Sequence, residues 1–297
     1  MTAEVLSRKE ALLKLENISK RFGKIVVADN LSLKIGPGEA LGIVGPNGAG
    51  KTTLFSIISG DVVPDKGRIY FSGELINRLS PAKRCRLGIG RTYQIPRPFT
   101  AMTVFENVLV AAYEGAGARG QNAYRLSTTI LEQTGLFHLA NRPGGQLGLL
   151  QRKRLEIARA LASRPKLLLL DEVASGLTDP EVASLVKVVL GLRSSGISII
   201  WVEHVMRALM GSVERMICLA SGNIIADGSP SDVLASPLVR EVFLGTEPDV
   251  PDSGEVTVAE SLAPDESEDR TSQITRMQHS GDYTLQTIEL DQPEANQ

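Results

Sequence analysis

The chain has 297 residues, 42% of them hydrophobic, and a formal net charge of −2. The segment after Thr246 holds 13 acidic residues against two arginines, which leaves residues 1–246 basic overall; a basic body suits a polyanionic ligand or an anionic membrane surface, although a solvated positive face has the same composition. The two distant cysteines, the charged first 14 residues and the lack of any run of about 18 apolar residues argue against a disulfide scaffold, a signal peptide and a bilayer-spanning helix.

Alternating apolar and Gly/Pro-rich runs organise the chain from residue 13 onward. Short β-like runs over residues 13–44 precede a helix from Gly50 to about Ser59. A mostly helical lobe is predicted at about 95–160. The apolar runs "KLLLLDE" and "ISIIWVE" are typical of strands buried in a parallel sheet, and helical patterns follow each, in "EVASLVKVVLGLRSSG" and "HVMRALMGSV". "RMICLASGNIIADG" predicts a closing hairpin.

This order of elements predicts an α/β fold with a parallel core sheet. Residues 1–246 form the predicted domain. Residues 247–297 are acidic, rich in Ser, Pro and Asp and short of periodic apolar positions, which predicts a disordered tail.

The stretch "GLLQRKRLEIARALA", Gly148–Ala162, predicts a helix with an unusual beginning. Its apolar residues recur at helical spacing and place Arg and Lys on the other side. Helices of this kind usually begin on Ser, Thr, Asp or Asn, whose side chain caps the first free N–H groups. Gly148 offers no such cap, so this position raises the question of whether another group belongs there.

The string "GPNGAGKT" matches G-x-x-x-x-G-K-[ST] in full and lies between a predicted strand and a predicted helix. Glycines let the backbone fold closely around phosphate oxygens, and the N–H groups at the helix start point at the anion. Lys51 is expected to reach the β- and γ-phosphates and the Thr52 hydroxyl to bind Mg²⁺. The predicted nucleotide-binding residues are Gly45, Pro46, Asn47, Gly48, Ala49, Gly50, Lys51, Thr52 and Thr53.

Two acidic residues end the strand "KLLLL". Asp171 is placed to hold Mg²⁺, and Glu172 to orient or deprotonate an attacking water. His204 ends the next strand, within reach of a γ-phosphate. An acidic pair can also simply begin a loop, and a lone His at a strand end is often structural.

These motifs together resemble the ATP-binding subunits of ABC transporters over about residues 12–245. The resemblance implies the ABC ATPase fold: a P-loop NTPase core with an antiparallel β subdomain and a helical subdomain. It also implies ATP and Mg²⁺ as cofactors, Gln94 in "GRTYQIPRPF" as a Mg²⁺ ligand, and Glu172 and His204 as catalytic residues. Phe22 stands where the family stacks an aromatic ring on adenine; the alternative is a core residue at a strand edge.

Within that family, "RTYQIPRPFTAMTVFENVLVAA" and "RLEIARALASRPKLLLLDE" most resemble ATPases of branched-chain amino acid importers; closely similar ATPases serve urea or other amides. The family signature Leu-Ser-x-Gly-Gln aligns with Leu147–Gln151. Gly148 replaces the Ser that binds the γ-phosphate held by the opposite subunit, and Leu150 replaces the Gly. Val173 stands where the family has a Pro. Thr178 stands where the family often has an Asp that faces the partner subunit, and the neighbouring Asp179 is expected to substitute for it.

The resemblance implies a peripheral protein on the cytoplasmic face of the inner membrane, bound to permease subunits, with a periplasmic substrate-binding protein as an indirect partner. The degenerate signature predicts a second, different ATPase subunit that completes this chain's site. The alternative to a different partner subunit is that the change at Gly148 is tolerated drift. The alternatives to an importer ATPase are the ATPase of a lipid or polysaccharide exporter and a weakly hydrolysing regulatory subunit. A soluble ATPase acting on ribosomes or DNA is disfavoured, so no nucleic-acid partner is expected.

Overall fold

The computed structural model describes residues 11–244. The predicted acidic tail at 247–297 lies outside the described residues, and the boundary at 246 stays a prediction. The strands are β1 (Leu13–Phe22), β2 (Ile25–Ile35), β3 (Ala40–Val44), β4 (Lys66–Phe71), β5 (Glu74–Leu75), β6 (Ile89–Arg91), β7 (Leu167–Asp171), β8 (Ser198–Val202), β9 (Arg215–Ala220) and β10 (Asn223–Gly228). The helices are α1 (Lys51–Ser59), α2 (Pro81–Leu87), α3 (Val104–Glu114), α4 (Gly120–Gln133), α5 (Leu149–Ala162), α6 (Asp179–Ser194), α7 (Met206–Leu209), α8 (Pro230–Ala235) and α9 (Pro237–Leu244).

The described strands form two sheets. One is antiparallel, in the order β2-β1-β4-β5. The other runs β10-β9-β3-β8-β7-β6 and is parallel except for the β9–β10 hairpin. The predicted α/β class, with a parallel core sheet and an antiparallel β subdomain, is confirmed.

Strands β7 and β8 divide the core because successive side chains of a strand point to opposite faces. Leu167 and Leu169 pack in a cluster with α1 and the antiparallel sheet. Leu168, Leu170 and Trp201 pack on the other face, with α5, α6 and the helical lobe. All five side chains are fully buried. The two apolar runs therefore form the centre of the fold, and both end at the same edge of the sheet.

The helical lobe consists of α3, α4 and α5, which pack on one another. Its first regular helix begins at Val104, later than the predicted start at about 95, and Asn107 is fully buried and hydrogen-bonded to the backbone of the preceding loop. The helix predicted in "HVMRALMGSV" is a single turn, α7, because Gly211 follows in a left-handed conformation at φ 77°. Among residues 11–244, no helix is both long and apolar enough to cross a bilayer.

Arg84 on α2 fastens this short helix to α1. Its guanidinium is buried and donates to the carbonyl oxygens of Ile57 (2.6 Å) and Ile58 (2.9 Å) at the end of α1. It also donates to the carbonyls of Asn77 (3.1 Å) and Leu79 (3.1 Å). Helix ends leave such carbonyls without an intrahelical partner, so this side chain satisfies several buried acceptors at once.

Arg84→Met is expected to lower the free energy of unfolding by about 3 kcal/mol or more, because it leaves these buried acceptors unsatisfied. Arg86→Met is the matched control, since Arg86 is exposed on the same helix and exposed substitutions change stability by about 0.5 kcal/mol or less. Urea denaturation of both variants measures the difference. Equal midpoints for the two variants would contradict this role for Arg84.

Candidate active site

The loop between β3 and α1 folds tightly against its neighbours. Gly45 has φ 150°, and a Cβ there would lie 2.1 Å from the carbonyl oxygen of Leu219 on β9. Gly50 has φ 100°, and its Cβ would lie 2.2 Å from the carbonyl oxygen of Val27 on β2. Side chains are therefore excluded at both ends of the loop. Gly50 also begins α1 without a side-chain cap, so the first N–H groups of the helix are left for another acceptor.

Lys51 begins α1 and is almost completely buried. Its Nζ donates to the carbonyl oxygens of Gly45 (2.6 Å) and Pro46 (2.9 Å) across the loop. Burial lowers the pKa of Lys51, and the nearby carboxylates of Glu172 and Asp171 partly oppose this effect. The ammonium group and the uncapped N–H groups at the start of α1 together fit an anion with several acceptor oxygens.

The rest of the loop differs in exposure. Asn47, Gly48 and Thr52 are exposed, Pro46 and Thr53 are half-buried, and Ala49 is buried. The exposed positions form the outer rim of the loop, and Ala49 anchors it in the cluster around α1.

Asp171 lies at the carboxyl end of β7 and is 2% exposed. Its Oδ2 accepts from Arg91 (3.3 Å), whereas its Oδ1 is buried without a hydrogen-bond partner among the described residues. Burial raises the pKa of Asp171, because the Arg91 cation offsets the desolvation of the carboxylate only in part. A buried carboxylate oxygen without a partner is costly unless a cation or donor binds it, and hard oxygen ligands of this kind are those that Mg²⁺ prefers. The residues present therefore fit a magnesium ion.

Glu172 joins two other predicted site residues. Its Oε2 accepts from the Gln94 side-chain amide nitrogen (2.5 Å), and its Oε1 lies 3.0 Å from His204 Nε2. Its own N–H donates to the carbonyl of Val202 (2.9 Å) at the end of the adjacent strand. The parallel pairing of β7 with β6 and with β8 thus brings together three side chains that are up to 110 residues apart in sequence. Such a cluster can hold a carboxylate in the position of a general base.

Phe22 ends β1 and is 49% exposed, so it is not a core residue. The Lys20 ammonium lies 5.3 Å from the centre of its ring. Val27, on the hairpin strand that follows, contacts Gly50 of the loop. An exposed aromatic ring on this hairpin remains compatible with stacking on a nucleotide base, and that role stays a prediction.

The start of α5 lacks a side-chain cap, as predicted. Gly148 is the residue before the helix, at φ −69° and ψ 171°, and its N–H donates to the Gln151 side-chain oxygen (3.1 Å). Leu150, which stands in the family's Gly position, packs half-buried against the core. The exposed residue is Leu149, at 45%, which lies beside Gly176. The bulk expected at Leu150 is therefore turned inward, and Leu149 takes the outer position.

The segment before α6 carries the other departures from the family. Val173 is buried. Thr178 donates both its N–H (2.8 Å) and its hydroxyl (2.8 Å) to the carboxylate of Glu181. Asp179 is exposed and forms an ion pair with Arg207 of the same chain. Its substitution for the family's Asp in a partner contact stays a prediction.

Three further residues of the site were not predicted from the sequence. Arg91 forms ion pairs with Asp171 and Asp61. Lys153 donates to the backbone carbonyls of Gln94 and Glu172, and Glu203, which precedes His204, is fully buried. Lys153 is 3% exposed, so the prediction that the basic side chains of α5 lie on the side away from the core was wrong for this residue. A charged residue directly before His204 at the end of an apolar strand was the available signal for Glu203.

Known proteins share this architecture. A profile of the ABC transporter family matches residues 28–175. The branched-chain amino acid transport ATP-binding protein BraF of Pseudomonas aeruginosa is 34% identical over 249 residues, which are 79% of this chain and 98% of that protein. The lipopolysaccharide export ATP-binding protein LptB of Acidithiobacillus ferridurans is 35% identical over 234 residues, 79% of this chain and 97% of that protein. A crystal structure of an ABC transporter cassette in its ADP conformation superposes with a TM-score of 0.71 at 32% identity, over 79% of this chain and 99% of that one.

A glycine-rich loop opening α1, beside two acidic residues at the end of a buried strand, defines a nucleotide-binding ATPase cassette. The chain belongs to the ABC transporter family of ATP-binding subunits. It binds nucleotide and is an ATP hydrolase coupled to transport. Among its structural neighbours, a Clostridium perfringens cassette at 28% identity is part of an ABC transporter complex, and another cassette at 27% identity is a dimer bound to ADP and phosphate.

Proposed function

We propose that this chain hydrolyses ATP to power the uptake of branched-chain amino acids, bound to permeases at the cytoplasmic face of the inner membrane. The similarity to BraF supports this substrate, together with the sequence around Gln94 and along α5. A periplasmic substrate-binding protein would deliver the solute. The similarity to LptB supports a second candidate, the export of lipopolysaccharide; uptake of urea or another amide is the closest variant of the first.

The phosphate loop is the proposed triphosphate site. Backbone N–H groups of the loop, which Pro46 lacks, and the Lys51 ammonium bind the phosphate oxygens, and Phe22 stacks on the adenine. Thr52, Gln94 and Asp171 hold Mg²⁺, which, when bound, polarises the phosphate oxygens and offsets their charge. The unpartnered Oδ1 of Asp171 supports this ligand set.

The cluster of Glu172, Gln94 and His204 carries the proposal of hydrolysis. Glu172 accepts a proton from a water molecule as the water oxygen attacks the γ-phosphorus; the bond from this phosphorus to the bridging β-phosphate oxygen breaks, and ADP and phosphate are released. His204 Nε2, now 3.0 Å from the Glu172 carboxylate, keeps this carboxylate oriented toward the water. Gln94 contributes its amide nitrogen to the same carboxylate, so a shift of the loop at residues 92–103 changes the environment of the base directly.

Exposed apolar side chains surround Gln94. Tyr93 (48%), Ile95 (69%), Phe99 (43%) and Met102 (38%) are exposed along one ten-residue segment between β6 and α3. Large apolar groups clustered on a surface usually mark a protein contact. We assign this segment as the permease-binding surface, through which opening and closing of the cassettes reach the membrane subunits.

The pair of cassettes in this scheme is asymmetric. This chain supplies a complete phosphate loop and its general base, and a different ATPase subunit supplies an intact signature. In the reciprocal site, the segment Gly148–Gln151 lacks the hydroxyl that would bind the partner's γ-phosphate. A hydrogen bond to a charged group contributes about 1.5–3 kcal/mol, so the loss corresponds to roughly 10- to 100-fold in binding or rate.

Gly148→Ser is expected to restore activity at the reciprocal site. The backbone at Gly148 suits an N-cap Ser, and a Cβ there meets only Gln151 Oε1, at 3.9 Å. With this chain's own site disabled by Glu172→Gln, we expect Gly148→Ser to raise the remaining ATP turnover of the purified complex about 10- to 100-fold. Ala183→Ser, at an exposed position on α6, is the control. Turnover that stays at the level of the control would favour tolerated drift at Gly148.

Transport is tested by uptake of labelled leucine, isoleucine and valine in cells of the source organism that lack this chain. Wild-type chain is expected to restore uptake, and the Glu172→Gln chain is not. Excess unlabelled urea tests whether the transporter takes up urea or another amide instead, because urea would compete with the labelled amino acids only in an amide importer. Normal leucine uptake with defective lipopolysaccharide at the cell surface would overturn the proposed substrate and favour the second candidate.

A further inference from the structure

Lys153 is a buried cation between the start of α5 and the catalytic cluster. Its Nζ donates to the backbone carbonyl oxygen of Glu172 (2.9 Å) and to that of Gln94 (3.3 Å). The side chain is 3% exposed although it sits in the basic run "QRKR". Burying an ammonium group is costly unless its donors and charge are matched. This lysine therefore makes specific contacts with two segments of the active site.

Glu172 needs such support because its backbone is in a left-handed conformation, at φ 48°. Residues other than glycine, asparagine and aspartate seldom adopt it, and it persists where the surroundings hold it. The Glu172 N–H is fixed by Val202 and its carbonyl by Lys153. With both backbone groups held, the carboxylate is directed toward Gln94 and His204.

Glu203 is a buried carboxylate whose negative charge opposes the effect of burial on Lys153, while burial raises the pKa of Glu203 itself. Its side chain is fully buried; Oε1 accepts from the N–H of Ala174 (2.6 Å) and from the Trp201 indole (3.1 Å). Burial lowers the pKa of Lys153, and the carboxylates of Glu203, Glu172 and Asp171 oppose this lowering. Glu203 in turn ties the segment after Glu172 to the chain directly after β8.

We propose that Lys153 is a positioning residue, which holds Glu172 and Gln94 in their active geometry and couples them to the start of α5. Lys153 is two residues beyond Gln151, the last residue of the signature segment. A movement of this segment on contact with the partner's nucleotide therefore displaces the Lys153 ammonium and, with it, the carbonyl groups of Glu172 and Gln94. Engagement at one nucleotide site thereby adjusts the general base, Glu172, of the other. This inference rests on the proposed role of Glu172.

Lys153→Met keeps the length of the side chain and removes its donors and charge. In the full-length chain, purified with the subunits that accompany it, we expect kcat for ATP to fall up to about 100-fold, since small misplacements of a catalytic group have effects of this size. KM and the Kd for ATP stay within about threefold, because the phosphate loop is unchanged. Lys153→Arg retains charge and donors and is expected to keep at least a third of wild-type kcat.

Lys187→Met is the matched control, because Lys187 is exposed on α6. Wild-type kcat in Lys153→Met, or a Lys153→Arg chain as slow as Lys153→Met, would overturn the proposal. If Lys153→Met unfolds at the assay temperature, Lys153→Gln replaces it: its amide retains two donors without the charge, and we expect a kcat between those of the Arg and Met chains.

A double-mutant cycle with Glu172→Gln separates positioning from general damage. If Lys153 acts through Glu172, Lys153→Met lowers the residual single-turnover rate of the Glu172→Gln chain less than twofold. A loss as large as in the wild-type background would show that the effect is merely structural, and the inference would fail. Undiminished turnover in the Glu172→Gln chain alone would instead refute the proposed function, whatever Lys153→Met does.

Discussion

Glu172→Gln is expected to lower the rate of ATP hydrolysis at this chain's own nucleotide site about 10²- to 10⁴-fold, the range that a positioned general base contributes. The substitution preserves shape, and an amide can still pair with Gln94 and His204, which contact the carboxylate at 2.5 and 3.0 Å. What it removes is the ability to accept a proton from water. The loss should therefore appear in kcat, with KM nearly unchanged.

Steady-state turnover and equilibrium binding of ATP to the same preparation distinguish this outcome from misfolding. The Kd for ATP should remain within about threefold of the wild-type value, since the phosphate loop binds the nucleotide independently of the base. Glu132→Gln, at an exposed position on α4, is the matched control. Undiminished turnover in Glu172→Gln would remove the catalytic assignment and favour a chain that serves mainly in regulation.

The sequence predicted the elements that local patterns determine. Continuous apolar runs predicted β7 and β8 because strands buried on both faces need apolar residues at every position. The phosphate loop was predictable because its glycines are required by backbone contacts with Leu219 and Val27, which no side chain could accommodate. The uncapped start of α5 was predictable because a side-chain cap depends on the residue type at a single position.

What the sequence did not predict depends on contacts between distant segments. The helical pattern places Lys153 among the basic residues of α5. In the structure its ammonium group is buried against Gln94 and Glu172, which are 59 and 19 residues away in sequence. The extent of α7 was overestimated because Gly211 ends the helix after one turn. Arg91 looked like one basic residue in a polar stretch, and its pairing with Asp171 exists only because β6 lies beside β7.

Lys51→Met is expected to have the largest effect on nucleotide binding. The ammonium now donates to two loop carbonyls, at 2.6 and 2.9 Å, while burial disfavours its charge. A bound triphosphate offers charged acceptors that repay this desolvation, and each hydrogen bond to a charged group contributes about 1.5–3 kcal/mol. Two such bonds correspond to an increase in the Kd for ATP of at least about 10²-fold.

The stability of the nucleotide-free protein should behave differently. Methionine loses the two bonds to the loop carbonyls but also the desolvated charge, so the free energy of unfolding without ATP should change by about 1 kcal/mol or less. Ligand that binds only the folded state raises Tm in proportion to ln(1 + [L]/Kd), and this ATP-dependent rise should disappear in Lys51→Met. Calorimetric titration and thermal unfolding, with and without ATP, give both quantities. Lys24→Met, exposed in the turn between β1 and β2, should retain the full ATP-dependent rise; if Lys51→Met retains it as well, the triphosphate is bound by other groups than this lysine.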